Sequence, residues 1–302
     1  MDTVAAGVTQ LRIQRFVNVY FVDTGTPGEW VLIDTGLPGS EKTIRAAAEE
    51  LYGPGAAPQA ILLTHGHLDH LGAALALATG WRVPVVVHPL ERPYVTAQAL
   101  YPPRDPTVGG SLAFASRFFP TQLPDLGDVV QELPVDDPRP PYMLQWRWLH
   151  VPGHAPGQVA FFREADRTLI GADAFATTHH DSLLAVLLGA PKISRAGTPF
   201  NYDYARCRQS VQRLAALSPA AIGCGHGPVM RGPAAAEALR RLAADYPVPA
   251  HGRYVHEPAR TDASGVEHLP PPVPDPLPRR ALALAAGLLV GSAAWWWLRR
   301  RR

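Results

Sequence analysis

The apolar residues Ala60–Leu63 run straight into Thr64, His65, Gly66, His67, Leu68, Asp69 and His70, which put three imidazoles and a carboxylate into six positions. A short apolar run followed by such a cluster reads as a buried strand whose carboxyl end opens onto a loop. Alternate residues of an extended loop project to one side, so His65 and His67 grip one point. Asp69 and His70 fall in the first turn of the following helix and reach a second point nearby. One loop cannot surround an ion unaided, so the fold must bring other strand ends to this one.

Three further segments supply candidates. His154 lies in "VPGHAPG" after a strand Leu144–His150, Asp173 in "IGADAF" after Thr168–Ile170, and His226 in "GCGHGP" after Ala220–Gly223. Small neighbours let the backbone turn sharply and approach an ion closely. Neutral imidazoles and carboxylates are the ligands of catalytic zinc sites. Five histidines and two aspartates suit two metals that share a carboxylate.

The rest of the pattern places these loops in a two-part fold. Arg12–Val22 reads as a strand, Gly25–Gly28 as a turn and Trp30–Ile33 as a second strand, ending in Asp34. Ser40 is positioned to cap a helix through Leu51, Leu68–Ala78 reads as another helix and Val83–Val87 as a strand. Residues 101–127, rich in Pro, Gly, Phe and Leu without a clear period, form an insertion suited to a lid. In the second half Gln158–Phe162 joins the strands already named, with helices over Tyr202–Leu217 and Pro233–Tyr246. Two β-rich halves, each closed by helices, imply an α/β (α+β) chain of two packed sheets with helices outside. The compact unit is expected over residues 8–246.

Residues 247–278 read as a linker. Its end, Leu269–Pro278, is proline-rich, extended and semi-rigid. Ala281–Leu298 carries no charge, is flanked by Arg279–Arg280 and Arg299–Arg302, and ends in three tryptophans and a leucine. As a helix it would reach roughly 27 Å, which suits a C-terminal membrane anchor, spanning or interfacial, holding a cytoplasmic catalytic domain at a membrane. Gly287 and Gly291 match a small-residue pairing pattern, so a homodimer is a further expectation. A net charge of +2 gives no reason to expect nucleic acid. Cys207 and Cys224 read as ordinary core residues, and His179–His180, close after Asp173, as a surface loop in preference to a lining of the pocket.

His65, His67, Asp69 and His70, with His154, Asp173 and His226 in order and spacing, resemble the metallo-β-lactamase superfamily over roughly residues 15–245. The resemblance implies a four-layer αββα sandwich. It also implies that His65, His67 and His154 hold one metal, that Asp69, His70 and His226 hold the other, and that Asp173 bridges. Asp34 corresponds to a supporting aspartate that orients the His65–His70 loop. An aspartate at position 173, where the best-known β-lactamases carry cysteine or serine, speaks against antibiotic hydrolysis. His67 argues against the flavodiiron branch, which usually carries glutamate there. The pattern is similar to glyoxalase-II-like and lactonase-like members. It implies a dinuclear zinc hydrolase, with iron or manganese as other possible ions, in which an activated water attacks the carbonyl of a small-molecule ester, thioester or lactone. Asp69 would also shuttle a proton to the leaving group. The alternative is a mononuclear-iron oxidoreductase similar to persulfide dioxygenases. A membrane-tethered binding protein with a structural metal fits less well, because seven intact ligands exceed the four of a structural site.

Overall fold

The computed structural model describes residues 1–275. Two sheets carry the architecture. The first contains β1 (Asp2–Ala5), β2 (Val8–Ile13), β3 (Val17–Asp23), β4 (Trp30–Ile33), β5 (Ile61–Leu62), β6 (Val85–Val87) and β7 (Val130–Glu132), in that order. Strands β1–β4 pair antiparallel and β4–β7 parallel. The second contains β8 (Trp146–His150), β9 (Val159–Arg163), β10 (Thr168–Ile170), β11 (Ala221–Gly223) and β12 (Met230–Arg231), in the order β12-β11-β10-β9-β8. Its β10–β11 pair is parallel and the others antiparallel.

Successive strand residues point to opposite faces, and both faces of these sheets are buried. Tyr20, Val22, Val31, Ile33, Leu62 and Val86 pack between the sheets against Val159, Phe161 and Ile170. Their neighbours Val19, Phe21, Leu32, Ile61 and Val85 face outward onto the helices Glu41–Tyr52 and Ala74–Trp81. On the other side Leu149, Phe162 and Leu169 pack beneath the helices Tyr204–Ala216 and Pro233–Ala244. The layers are therefore α, β, β, α. Each fully buried Phe or Ile here contributes about 1.5–3 kcal/mol of burial free energy.

Several boundaries differ from the sequence reading. The expected strand Arg12–Val22 is a hairpin. Gln14 and Arg15 both take positive φ, 49° and 62°, and Phe16 N donates to Ile13 O at 2.9 Å. Non-glycine residues rarely make this tight turn, so the sequence carries no signal for it. Ser40 precedes its helix but makes no side-chain cap, and its hydroxyl is buried without a partner. The helix expected over Leu68–Ala78 is two, Leu68–Leu71 and Ala74–Trp81. The break at Gly72 is packed, since a Cβ there would collide with the backbone of Leu37 and Pro38.

The compact unit spans Met1–Pro270, wider than 8–246 at both ends. At the start β1 adds an edge strand carrying buried Val4. At the end Tyr254 and Ala259 enter the second-half core and Arg260–Asp262 pairs with Gly265–His268. Most of the residues first assigned to the linker thus belong to the domain. Residues 271 onward form a second unit, of which 271–275 are described and carry no regular element. The expected anchor, Ala281–Leu298, and its Gly287–Gly291 pattern lie outside the described residues. Among the described residues no helix is long and apolar enough to cross a membrane.

Candidate metal centre

The seven candidate ligands meet at one edge of the sandwich. His65, His67, Asp69 and His70 follow β5, His154 lies between β8 and β9, Asp173 follows β10 and His226 follows β11. Ligand atoms of His65, His67 and His154 lie within 4.8 Å of one another, as do those of Asp69, His70 and His226. Asp173 sits between these sets. One of its oxygens is 3.5 Å from His154 Nε2 and 3.2 Å from His226 Nε2, and the other is 3.7 Å from His70 Nε2.

Four of the five imidazoles have their tautomer fixed from behind. His226 Nδ1 donates to Phe16 O at 2.8 Å, and His154 Nδ1 to Asn201 Oδ1 at 2.9 Å. His70 Nδ1 donates to Asp34 Oδ2 at 2.8 Å. Thr64 Oγ1 donates to Asp34 Oδ2 at 2.8 Å and accepts from His65 Nδ1 at 3.0 Å. In its neutral form each ring presents a bare Nε2 to the centre. His65 Nε2 and His154 Nε2 both lie 3.0 Å from His67 Nδ1, a cluster of lone pairs that wants a cation. His70 Nε2 and Asp173 Oδ1 are buried with no hydrogen-bond partner, which normally costs about 1–3 kcal/mol per group. These orphaned atoms and the converging lone pairs fit divalent ions.

Electrostatics divides the two sets. Burial pushes the His65 and His67 imidazoles down, His67 to about 3, with neighbouring imidazoles adding to the effect. Burial lowers His154 too. For His70 and His226 burial also disfavours the charge, yet carboxylates win. Asp34, Asp69 and Asp173 lift His70 to about 9, and Asp173 and Asp69 lift His226 to about 10. Burial would raise the Asp173 carboxyl, but His226, His70 and His154 hold it well below the usual range. Asp69 is likewise kept ionised by His70 and His226 against its burial. It is the most exposed carboxylate of the set, at 24 % of its side chain.

The loops are held by residues that the sequence did not single out. Buried Glu91 accepts from Gly66 N at 2.8 Å, from Gly157 N at 2.6 Å and from the Tyr101 hydroxyl, tying the His65–His70 and His154 loops together. Asn18 Nδ2 donates to Cys224 O and Gly227 O, both at 2.8 Å, and Tyr20 donates to Cys224 O at 2.6 Å. The first sheet thereby grips the His226 loop of the second half. A Cβ on Gly225 would collide with Asp173 Oδ1 and with His70, so the glycine beside His226 is a spatial need. Cys224 and Cys207 are both buried in the second-half core.

His180 corrects the surface reading. His179 is exposed, but His180 is buried, its ring centre 4.0 Å from that of His226. Its Nδ1 accepts from Gly197 N at 2.9 Å, so the neutral ring carries its proton on Nε2. It lines the adjoining cavity of about 780 Å³, whose floor is His67, Asp69, His154, Asp173, His180 and His226. The 101–127 insertion supplies much of the wall through Tyr101, Leu112, Phe119 and Leu123.

Residues 12–226 match the family model of the metallo-beta-lactamase superfamily. The chain is 38 % identical over 230 residues to "Probable metallo-hydrolase YflN" of Bacillus subtilis, covering 76 % of this chain and 86 % of that one. It is 29 % identical over 221 residues to the B. subtilis protein YobT, covering 72 % and 85 %. Among solved structures, the BLEG-1 B3 metallo-beta-lactamase superposes with a TM-score of 0.55 at 21 % identity, covering 81 % of this chain and all of that one. A metallo-beta-lactamase family protein of Thermus thermophilus gives 0.52 at 22 % identity, covering 81 % and 80 %. At such identities the structural likeness speaks for the fold alone. The chain belongs to the metallo-β-lactamase superfamily.

Proposed function

We propose that this chain is a metallo-hydrolase that cleaves carbonyl esters, thioesters or lactones with two divalent ions, zinc being the ion its donors suit best. The observation that carries the reading is the second set of ligands. Asp69, His70 and His226 make a complete group beside His65, His67 and His154, with Asp173 between them. A mononuclear-iron oxidoreductase would leave part of this buried donor set without a role. The relative YflN carries the name of a metallo-hydrolase, which supports the same class.

In this reading His65, His67 and His154 would hold one ion and Asp69, His70 and His226 the other, with Asp173 available to both. Bound ions would supply a water acidified to near neutral pH and a Lewis acid for the carbonyl oxygen. The chain's own residues do the rest. The Nε2 proton of His180 is available to the substrate oxygen as negative charge develops there. Ionised Asp69, at the exposed side of the floor, accepts the proton of the attacking water and returns it to the leaving oxygen or sulfur. The acyl carbon gains a bond to water oxygen and loses its bond to the leaving group, so an ester or thioester gives an acid with an alcohol or thiol and a lactone gives one hydroxy acid. Asp34 and Glu91 position the loops and touch no substrate.

The test is chelation followed by metal restoration, with an ester, a thioester and a lactone assayed in parallel. Hydrolysis of at least one should vanish with the metal and return with zinc. Chelated protein that hydrolyses as fast as the parent, or restored protein that cleaves none of the three, would refute the reading. A native content of one iron per chain would favour the oxidoreductase.

A further inference from the structure

The cavity above the metal centre has walls that differ sharply from its floor. Leu68, Leu100, Leu112, Phe119, Leu187 and Phe200 set their character. Phe200 brings the apolar surface down to the floor, its ring centre 5.6 Å from that of His67 and 6.2 Å from that of His154. A reacting carbonyl on the floor would therefore have its substituent emerge directly against hydrocarbon.

Polar side chains in the wall are few, Gln14, Tyr101, Arg104 and Thr121, and two of them are engaged. The Arg104 guanidinium donates to Pro120 O at 3.1 Å and also to Phe119 O. The Tyr101 hydroxyl is spent on Glu91. Arg104 is the one cationic Lys or Arg side chain among the described residues that line the cavity. An anionic tail entering here would leave water for a wall of hydrocarbon, with Arg104, already turned to two carbonyls, as its one cationic side chain, which costs free energy.

The mouth extends the same chemistry. The helix Leu183–Leu188 reads Leu-Leu-Ala-Val-Leu-Leu, and only Val186 among these residues is buried. Leu184 and Leu188 are 67 % and 72 % exposed, and Leu183 and Leu187 line the cavity. Across the insertion, Leu100 and Phe118 are also exposed. Exposed hydrocarbon beside a concave site marks a surface that an apolar ligand covers.

We propose that the substrate is an acyl compound with an uncharged, medium-length hydrocarbon chain. Its carbonyl lies on the metal floor and its chain lies along Leu112, Phe119, Leu187 and Phe200. This deepens the hydrolase reading and rests on it for the reaction, but the chain-binding part stands on the cavity alone. A volume of about 780 Å³ has room for such a chain, being within the range of about 300–1,000 Å³ typical of small-molecule sites. Each methylene buried there improves binding by up to about fourfold, so selectivity for chain length follows from the wall.

Two measurements on the full chain separate this inference from the reading beneath it. The first compares zinc-loaded protein on the 4-nitrophenyl esters of acetic, butyric and octanoic acids, kept below their aggregation limits. The value of kcat/KM should rise by roughly 100-fold or more from acetate to octanoate, short of the full per-methylene limit. An octanedioic acid monoester, of the same length but ending in a carboxylate, should lose about tenfold or more of that gain. Leu187→Asp, on the half-exposed helix, should lower the octanoate-to-acetate ratio by about tenfold. A profile flat from acetate to octanoate, or equal use of the charged chain, overturns the proposal while leaving the hydrolase reading intact.

The second measurement is calorimetric titration with decan-1-ol and butan-1-ol, which needs no turnover. Saturable decanol binding, weakened in Leu187→Asp and not matched by butanol, supports the cavity assignment even if no ester is cleaved. That combination would condemn the hydrolase reading instead. Absence of saturable decanol binding overturns the proposal.

Discussion

His65, His70, His154 and His226 of the metal centre are each fixed by a second polar group, whereas the cavity walls above it are mostly hydrocarbon. The floor fixes its directions through hydrogen bonds drawn from both halves of the sandwich. The walls act through area, which has no direction and tolerates change. Loss of one floor group should therefore be severe and specific, and loss of one wall group graded. In the proposed reading, the geometry of the reaction and the choice of substrate reside in separable parts of the molecule.

The sharpest way to break that contrast is to remove a donor from the floor. His154→Ala takes one lone pair from the first set and should lower kcat/KM by about 10⁴-fold or more, as expected when an electrophile and its water are both lost. Circular dichroism should show the fold retained, because His154 sits on a loop and not within a core strand. Turnover within tenfold of the parent would make the floor as tolerant as the wall.

A weaker blow falls one step behind the ligands. Asp34→Ala removes the acceptor of His70 Nδ1, Thr64 N and Thr64 Oγ1 together. Metal affinity should fall about 10- to 100-fold, the usual cost of losing a group that orients a ligand. Competition with a chromogenic chelator measures it, and unchanged affinity would show that the loop holds its shape without Asp34.

Glu91 gives the smallest effect and a pH signature. Burial pushes its carboxyl up to about 7 from an ordinary 4.5, against three donors that favour the charge. With the folded pKa above the unfolded one, ionisation disfavours the fold. The parent should therefore lose stability relative to Glu91→Gln as pH rises from the unfolded value through the folded one. The differential is about 2–4 kcal/mol over that window. Urea midpoints of the two metal-free chains at pH 5 and pH 7.5 measure it. A constant gap would show that Glu91 does not titrate there.

The same contrast explains what the sequence made readable. His65–His70, His154, Asp173 and His226 stand out because such residues, bracketed by glycine at the ends of apolar runs, have few other reasons to be there. Asp34 became readable through the family resemblance, which carries a supporting aspartate at this strand end. Glu91, Asn201, Asn18 and Tyr20 could not, since each acts through a partner distant in sequence. Asn18 and Cys224, for instance, are 206 positions apart. His180 escaped because its role depends on one backbone amide, that of Gly197. The wall was only partly visible, as an insertion without period, because hydrophobicity in irregular chain does not reveal which way a side chain points. The hairpin at Gln14–Arg15 was hidden by turn residues that carry neither glycine nor asparagine.

The central claim is that the two halves of the sandwich together build a site for two ions, and metal stoichiometry tests it most directly. The full chain, loaded with zinc and freed of excess, should hold about two ions by mass spectrometry of the metal. Asp173→Asn, which keeps the shape but removes the charge lying between His154 and His226, should hold fewer or unevenly bound ions. A parent that saturates at one ion, with Asp173→Asn retaining that ion as tightly, would contradict the account.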